Sequence, residues 1–381
     1  MIPFARILDY GNTLPDAKIV QFCGLNYFAL YIDSIGNLFA LGDNSQGQLG
    51  TGDSAPLSEW RLIAGNIKKV VCATDMSVII QGNDGQYYIS GNRTCLGLNS
   101  NVYSFTKLPF TIPSDAYNIT ATLNNMAYLI PNSTDRTYGD LYMVGRNSTY
   151  SLSNKVALNG MLSVPTLMVS RVKDVQLYNG ITAYRKWFSA YDVICGFGNA
   201  PSMLGTSPTP NEVQVASAPR TSNISWSLMP SAVMSINQSW IYGAGLGTYY
   251  CMGNGSTAQI GITSLYSMVG ANKFFNHPYS ILTRYGTFFS VNNDLYCTGN
   301  NTSGQLGLGN KVTPQNKTII NLPDELVLND IIGICANSTN TMIITRNTIW
   351  YSGSSFPSLS QDTTTFTKLS LGAEVDIKSI N

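Results

Sequence analysis

The sequence of 381 residues predicts an all-β protein, a seven-bladed β-propeller built from repeats of about 50 residues. One phrase occurs twice, as LFALGDNSQGQLGTG at residues 38–52 and as LYCTGNNTSGQLGLG at residues 295–309. Weaker copies of its first half recur along the chain. Short β-branched and aromatic runs alternate with Gly, Asn and Asp turns, which is typical of strands and hairpins. The spacing predicts a single domain over residues 1–381.

A glycine that ends an apolar run anchors each repeat. The weaker copies read YYISGN, LYMVGRN, VICGFGN, YYCMGN and IWYSGS. The seven anchors are Gly42, Gly91, Gly145, Gly198, Gly253, Gly299 and Gly353. We expect a positive φ or a close approach of the backbones of neighbouring blades at these positions, so the glycines are interpreted as fold residues and not as site residues.

The elements follow the same order in each repeat, as the first repeat shows. Apolar runs at residues 19–23 and 27–32 predict two strands, a turn follows at 33–37, and residues 38–41 predict a third strand. Repeats two and six continue the pattern, with turns at 82–85 and 292–294. No stretch has a sustained helical period with caps. Short strands in sets of three or four are expected to form blades around a central axis.

Segments at both chain ends resemble the linkers between repeats. We therefore expect residues 366–371 or 375–380 to pair with strands formed by residues 19–41. A propeller ring has no free edge only when strands from both ends share a blade. The sequence thus predicts closure of the ring by pairing of N-terminal and C-terminal strands.

The GQLG phrases at residues 47–50 and 304–307 resemble the repeat of the regulator of chromosome condensation family. The resemblance covers roughly residues 18–354 by spacing, and repeats one and six carry the full phrase. It implies a seven-bladed propeller and, as an activity, guanine nucleotide exchange on a small GTPase. Exchange members of the family carry a wedge-like insertion and a basic tail. Repeats of about 50 residues leave little room for the insertion, and both ends of this chain are neutral.

No constellation in the sequence indicates catalysis, so we predict that the protein is not an enzyme and has no catalytic, cofactor-binding or metal-binding residues. The single histidine, His277, cannot form a hydrolytic triad or a histidine-rich metal site alone. It matches a histidine that packs between blades in the resembled family, although Asn26, Met76 and Asn124 take that place in other repeats. The Gly-Asn-Asp turns lack the ligand series of a calcium loop, and the Gly-rich fragment 243–247 precedes no helix.

Charge and hydropathy exclude two classes of partner. Charged residues make up 11% of the chain and the net charge is +1, so we expect no nucleic acid partner. The densest basic cluster comprises Arg171, Lys173, Arg185 and Lys186. No apolar segment approaches the length of about 18 residues that a membrane-spanning helix needs, so we expect no membrane insertion. The first residues also lack the pattern of a secretory signal.

The seven cysteines are predicted to be buried thiols. Cys23, Cys72 and Cys335 share one repeat position, and Cys251 and Cys297 share another. Equivalent positions on different blades are too far apart for a disulfide. Asn-x-Ser/Thr triplets are frequent, and both a compositional origin and glycosylation stay open. They begin at Asn92, Asn118, Asn132, Asn147, Asn223, Asn237, Asn254, Asn300, Asn301, Asn316 and Asn337.

These patterns favour a non-catalytic module that acts through protein–protein contacts, as a virion or surface-exposed structural or recognition protein. The uncharged surface, rich in Asn, Ser, Thr and Tyr, suits adaptable protein contacts. Partners would be neighbouring subunits of an assembly or a surface receptor. We expect contacts on exposed tyrosines and in residues 148–165, 202–221 and 310–323, where prolines keep the chain out of the sheets.

Alternatives of two other classes stay open at this point. One is a guanine nucleotide exchange factor-like regulator of a small GTPase, as the family resemblance implies. The other is an enzyme with its site in the central channel of the propeller, although no convergent titratable residues are visible. A virion or extracellular location is expected, with a cytoplasmic location as the alternative.

Overall fold

The protein is all-β in a computed structural model, and the predicted class is confirmed. Within the described part, helix is confined to two 3-10 turns at Thr94–Leu96 and Leu328–Asp330. The structure describes residues 19–24, 27–74, 76–178, 180–188, 191–199, 209–214, 225–228, 232–236, 241–246, 257–260, 266–267, 280–282, 286–291, 294–336, 339–345, 347–354 and 362–369.

The first two repeats each form a four-stranded antiparallel sheet in chain order. The first sheet contains β1 (Ile19–Gly24), β2 (Phe28–Asp33), β3 (Leu38–Gly42) and β4 (Leu57–Ala64). The second contains β5 (Ile67–Thr74), β6 (Ser77–Gly82), β7 (Tyr87–Asn92) and β8 (Asn101–Lys107). The Asp33 carboxylate accepts hydrogen bonds from the backbone amides of Ile35 (3.1 Å) and Asn37 (2.8 Å). The predicted turn at residues 33–37 is therefore stabilised by its own aspartate.

Repeats three and four share one long strand. Their sheet contains β9 (Tyr117–Ala121), β10 (Asn125–Pro131), β11 (Gly139–Arg146), β12 (Met161–Tyr178), β13 (Ile181–Phe188), β14 (Tyr191–Gly198) and β15 (Thr209–Gln214). β12 pairs with β11 up to Val172 and with β13 from Val172 onward. Arg171, beside this transition, has φ +65°. The seven-stranded sheet therefore consists of two antiparallel four-strand sets joined through β12.

The remaining described strands form three sheets. One contains β16 (Ser225–Leu228), β17 (Ala232–Ile236), β18 (Ile241–Leu246), β19 (Gln259–Ile260) and β20 (Tyr266–Ser267). The next contains β21 (Ser280–Leu282), β22 (Gly286–Val291), β23 (Asp294–Gly299) and β24 (Thr318–Ile319). The last contains β25 (Ile331–Ala336), β26 (Asn340–Thr345), β27 (Ile349–Gly353) and β28 (Thr363–Leu369).

Consecutive sheets pack face to face through their middle strands. Leu30 of β2 shares a buried cluster with Val78 and Ile80 of β6. Ile79, which points to the other face of β6, shares a cluster with Met126 of β10 in the following sheet. Middle strands are therefore buried on both faces, as β6 is along its whole length. Repeated antiparallel sheets stacked in this way form a β-propeller.

The first and last sheets also contact each other, but through side chains. Ala29, Leu41 and Trp60 of the first sheet share a buried cluster with Ile344 and Leu369 of the last. The predicted strand pairing of residues 366–371 with residues 19–41 is wrong within the described part. β28 pairs with β27, and β1 to β3 pair with one another. Among the described strands, each terminal sheet takes its members from one continuous stretch of chain, and apolar packing joins the two sheets. The other candidate segment, 375–380, lies outside the described residues.

The anchor glycines adopt left-handed backbone conformations at the ends of the third strands. Gly42 has φ +108°, and a Cβ placed there would lie 2.3 Å from the carbonyl oxygen of Tyr27. Gly145 has φ +129°, and its Cβ would lie 2.1 Å from the carbonyl oxygen of Asn124. The positive φ agrees with the expectation. The closest contact differs from it, because Tyr27 and Asn124 directly precede the middle strand of the same sheet and do not belong to a neighbouring blade. Gly253 lies outside the described residues.

The GQLG turn of one sheet packs against the outer strand of the next sheet. A Cβ on Gly50 would lie 2.6 Å from the ring of Phe105 in β8. A Cβ on Gly307 would lie 2.3 Å from the ring of Phe366 in β28. Only glycine lets the turn lie this close to the aromatic ring, which explains why the phrase recurs in repeats one and six.

Side-chain amides connect the first strands of neighbouring repeats. Gln21 of β1 accepts a hydrogen bond from the Val70 amide (2.8 Å) and donates to the Val70 carbonyl (2.5 Å). Asn118 of β9 makes the same pair with Val175 of β12, with its amide oriented to accept at 2.9 Å and donate at 3.3 Å. Each amide thus imitates a strand pairing across the boundary between two repeats.

Candidate interaction surfaces

Two connecting segments carry strongly exposed aliphatic side chains. The first, the 148–165 loop (residues 148–165), runs from β11 into β12 and exposes 45% of Leu158 and 68% of Val164. The second, the 310–323 loop (residues 310–323), contains β24 and exposes 71% of Val312 and 44% of Ile319. Both were predicted as contact segments. Of the third, residues 202–221, the structure describes only 209–214, which form β15.

A fully buried asparagine fixes the base of the 148–165 loop. Asn147 Nδ2 donates hydrogen bonds to the carbonyl oxygens of Ser153 (3.0 Å) and Val156 (2.8 Å). Its Oδ1 accepts a hydrogen bond from the Leu152 amide (2.9 Å). Because the amide is buried and all of these groups are paired, the loop has one preferred conformation.

Asn301 fixes the other loop in the same way. Its Nδ2 donates to the carbonyl oxygens of Asn310 (2.9 Å) and Val312 (3.1 Å), and its Oδ1 accepts from the Leu306 amide (2.9 Å). Asn301 is also fully buried. These bonds reach directly to Val312, so the backbone that presents the exposed valine is held by the interior of the protein.

We did not predict this role of asparagine from the sequence, although a shared Asn-to-Leu spacing indicates it. The segments NSQGQL, NSTYSL and NTSGQL each begin two residues after an anchor glycine and place a leucine five residues after the asparagine. In the first repeat, Asn44 Oδ1 accepts from the Leu49 amide (2.8 Å), and its Nδ2 donates to Thr51 Oγ1 (2.8 Å). The shared pattern is therefore a buried asparagine that organises the loop after the third strand.

The same asparagines explain part of the abundance of Asn-x-Ser/Thr triplets. Asn147 and Asn301 begin two of the triplets, and their Nδ2 atoms are buried and donate to backbone carbonyls. These asparagines recur at the same position of the repeat, where their side chains stabilise the fold. Asn316 is exposed and Asn132 is partly exposed, so these two lie at the surface.

The densest basic cluster is brought together, but carboxylates neutralise it. Four ion pairs form between β12, β13, β14 and β15. They are Lys173–Asp192 at 2.8 Å, Arg185–Asp174 at 2.5 Å, Lys186–Glu212 at 3.0 Å and Arg185–Asp192 at 3.9 Å. The Lys173 ammonium also lies 5.3 Å from the Tyr138 ring centroid and 5.4 Å from that of Trp187. Lys173, Arg185 and Lys186 thus belong to a network of paired charges, and only Arg171 of the four is classed as exposed.

No catalytic arrangement is visible among the described side chains, where no group of three or more His, Cys, Asp or Glu residues could hold a metal ion. Cys95, Cys195 and Cys297 are buried thiols, and burial raises the pKa of Cys195 to about 12. Tyr184 donates a hydrogen bond to Glu212 (2.5 Å), and burial raises the pKa of its hydroxyl above the ordinary range. His277 and the side chains of the other cysteines lie outside the described residues.

A search of the described residues for long apolar helices finds none able to cross a membrane. Comparison with protein-family models and with curated protein sequences gives no match. Solved structures do resemble this chain. The crystal structure of human WBSCR16 aligns with a TM-score of 0.67 and 13% identity, covering 88% of this chain and 94% of that chain.

Two yeast structures are also similar. Prp20p from Saccharomyces cerevisiae, whose structure is described together with its binding to Gsp1p and histones, aligns with a TM-score of 0.49 and 15% identity. The match covers 92% of this chain and 76% of that chain. Yeast RCC1 (Prp20) bound by Kap60 aligns with the same score and identity, over 92% and 74%. The similar structures thus include an RCC1 protein.

Proposed function

We propose that this chain is a non-catalytic, seven-bladed β-propeller that binds another protein through the 148–165 and 310–323 loops. One observation carries the proposal. Val312 is strongly exposed in the 310–323 loop, and Val164 is strongly exposed at the start of β12, where the 148–165 loop enters the strand. Asn301 and Asn147 hold the backbone of these two segments. Each segment exposes two large aliphatic side chains, with Leu158 near Val164 in sequence and Ile319 near Val312, and grouped apolar exposure is typical of recognition surfaces.

The geometry of the loops suits binding for a physical reason. A loop that is already ordered loses little conformational entropy when a partner contacts it. Burying an exposed valine or isoleucine side chain contributes about 1.5–3 kcal/mol to association. Val164, Val312 and Ile319 can therefore serve as apolar anchors, with the surrounding Asn, Ser and Thr residues forming a polar rim.

The repeat spacing supports the seven blades that we propose. The sequence has seven anchor glycines, and in six described sets of antiparallel strands the third strand ends at or next to an anchor. Repeats three and four supply two of the seven blades and share β12. The apolar cluster between the first and last sheets supports a ring that side-chain packing closes.

We propose a location at the surface of a virion or outside the cell, and a cytoplasmic location as the alternative. The support is compositional. Charged residues make up only 11% of the chain, so the surface is built largely from uncharged polar side chains. Such surfaces rely on shape and hydrogen bonds for recognition, which suits contacts with neighbouring subunits or a receptor.

The test compares partner recovery by wild type and by two variants. The V164D/V312D variant places a charge on both loops. The control, Ile35→Asp, places a charge on another exposed apolar residue (47% exposed), in the β2–β3 turn at the opposite end of the sheet from the loops. Thermal unfolding of each variant establishes that it is folded. Affinity purification from the source cells with quantitative mass spectrometry should recover a partner with wild type and Ile35→Asp but lose it with V164D/V312D. Equal recovery by all three would contradict the proposal.

A further inference from the structure

We infer that the partner surface recognised by the two loops is acidic as well as apolar. The inference rests on the proposed function, because it assigns the chemistry of the partner to the same two loops. The 148–165 loop contains Lys155, and the 310–323 loop contains Lys311 and Lys317. Neither loop contains Asp or Glu, although the whole chain has 22 basic and 21 acidic residues. The charged residues within both loops are thus all basic in a nearly neutral protein, while Asp324 and Glu325 follow the 310–323 loop directly.

These cationic side chains are at the surface. Arg146, which directly precedes Asn147, is exposed, and so are Lys155 and Lys317. Lys311 forms an ion pair with Asp362 at 3.2 Å, and both side chains are about half exposed. An ion pair in such a setting is worth little, so Lys311 can exchange Asp362 for an acidic group of a partner at small cost.

The first repeat provides an internal comparison. Its loop has the same buried asparagine, Asn44, but Asp43 occupies the position of Arg146, and Asp53 follows in the loop. The exposed stretch at residues 51–56 contains no large aliphatic residue. The fold therefore tolerates an acidic loop without exposed aliphatic side chains. In repeats three and six, lysines and exposed aliphatic residues occur together, and the acidic residues are absent.

The joint occurrence of lysines and exposed aliphatic residues in both loops indicates the chemistry of the partner. A surface with apolar recesses for Val164 and Val312, flanked by Asp or Glu, would match both features of each loop. The charges would mainly speed association and disfavour basic partners, while the buried valines would slow dissociation. Since the loops belong to sheets that are not neighbours, one partner could be held at two separate points.

The experiment uses synthetic peptides as the probe, immobilised on an array, and the labelled full-length protein. One peptide set combines Asp and Glu with Leu and Phe. A second set replaces Asp and Glu with Lys and Arg, and a third replaces Leu and Phe with Ser. We expect the acidic–apolar set to bind at least about tenfold better than either other set, and to lose binding as salt rises above physiological strength.

Charge-reversal variants locate the binding site. The K155E/K317E variant should bind the acidic–apolar set about tenfold more weakly than wild type. The matched control, K68E/K69E, reverses two exposed lysines at the start of β5, near the β6–β7 turn and away from the loops, and should bind like wild type. If the acidic peptides were attracted to any lysine on the surface, both charge-reversal variants would bind them equally weakly.

Three outcomes would overturn the inference: no preference for the acidic–apolar set, tighter binding of the basic set, or equal losses in the two charge-reversal variants. Each can be told apart from failure of the proposed function. If V164D/V312D loses its cellular partner while the array shows no acidic preference, the loops bind protein but the assigned chemistry is wrong. If V164D/V312D keeps every partner, the proposed function itself fails.

Discussion

Replacing Asn301 with alanine should destabilise the protein strongly, although the residue lies in a loop. Asn301 is fully buried and its side chain makes three hydrogen bonds of 2.9–3.1 Å to backbone groups. The two bonds that Nδ2 donates contribute about 1 kcal/mol each net, and leaving the buried Leu306 amide without its acceptor costs about 1–3 kcal/mol. We therefore expect the free energy of unfolding to fall by about 3–5 kcal/mol.

Urea unfolding followed by tryptophan fluorescence measures this change, with Asn316→Ala as the matched control. Asn316 is an exposed asparagine in the same region, so its loss should change the free energy of unfolding by less than about 0.5 kcal/mol. Asn301→Asp provides a second test. It keeps an acceptor for Leu306 but turns oxygen toward the carbonyl oxygens of Asn310 and Val312, and should be as harmful as alanine. If Asn301→Ala and Asn316→Ala unfold at the same urea concentration, the assigned role of the buried asparagine is wrong.

Three further predictions concern the contact between the first and last sheets, the buried tyrosine hydroxyls and nucleotide exchange on a small GTPase. Ile344→Ala at the contact between first and last sheets should cost about 2–5 kcal/mol in urea unfolding, against little change for the exposed Ile35→Ala. Burial raises the pKa of Tyr117 and Tyr128 to about 12, so their contribution to stability is complete below pH of about 10 and is lost as the pH rises toward 12. A series of unfolding midpoints from pH 8 to pH 12 checks this, and a flat series would refute it. A fluorescent-nucleotide assay should show no accelerated release from a nuclear-transport type GTPase, and stimulation of about tenfold or more would refute this.

Features encoded by adjacent residues could be predicted from the sequence. The Asp33 turn, the apolar middle strands and the left-handed Gly42 follow from local patterns, because each depends on a few neighbouring side chains. The repeat spacing then predicted where each set of strands begins. The expectation that prolines keep the contact segments out of the sheets is wrong at two positions, because Pro165 lies in β12 and Pro210 in β15. Proline can occupy a strand position whose amide is not needed for pairing. That these segments contact a partner stays a prediction.

Features that depend on distant contacts could not be predicted in this way. The sharing of β12 between two repeats and the side-chain contact between the terminal sheets depend on how separate units meet. The pairing of Lys173 with Asp192 reaches from β12 across β13 to β14, so it depends on the strand order of the sheet, and a count of basic residues overstated the exposed positive charge. Asn147 and Asn301 resembled turn or glycosylation residues, because burial cannot be read from a triplet.

Site-specific photo-crosslinking tests the central claim, that the two loops bind a protein partner, most directly. A photoreactive amino acid would replace Val312, Val164 or, as a control at the opposite end of the sheet, Ile35, and the protein would be irradiated in its source cells. We expect both Val312 and Val164 to crosslink to the same partner protein, and we expect no crosslink from Ile35. Crosslinks to that partner from Ile35 alone, or different proteins captured at Val312 and Val164, would contradict it.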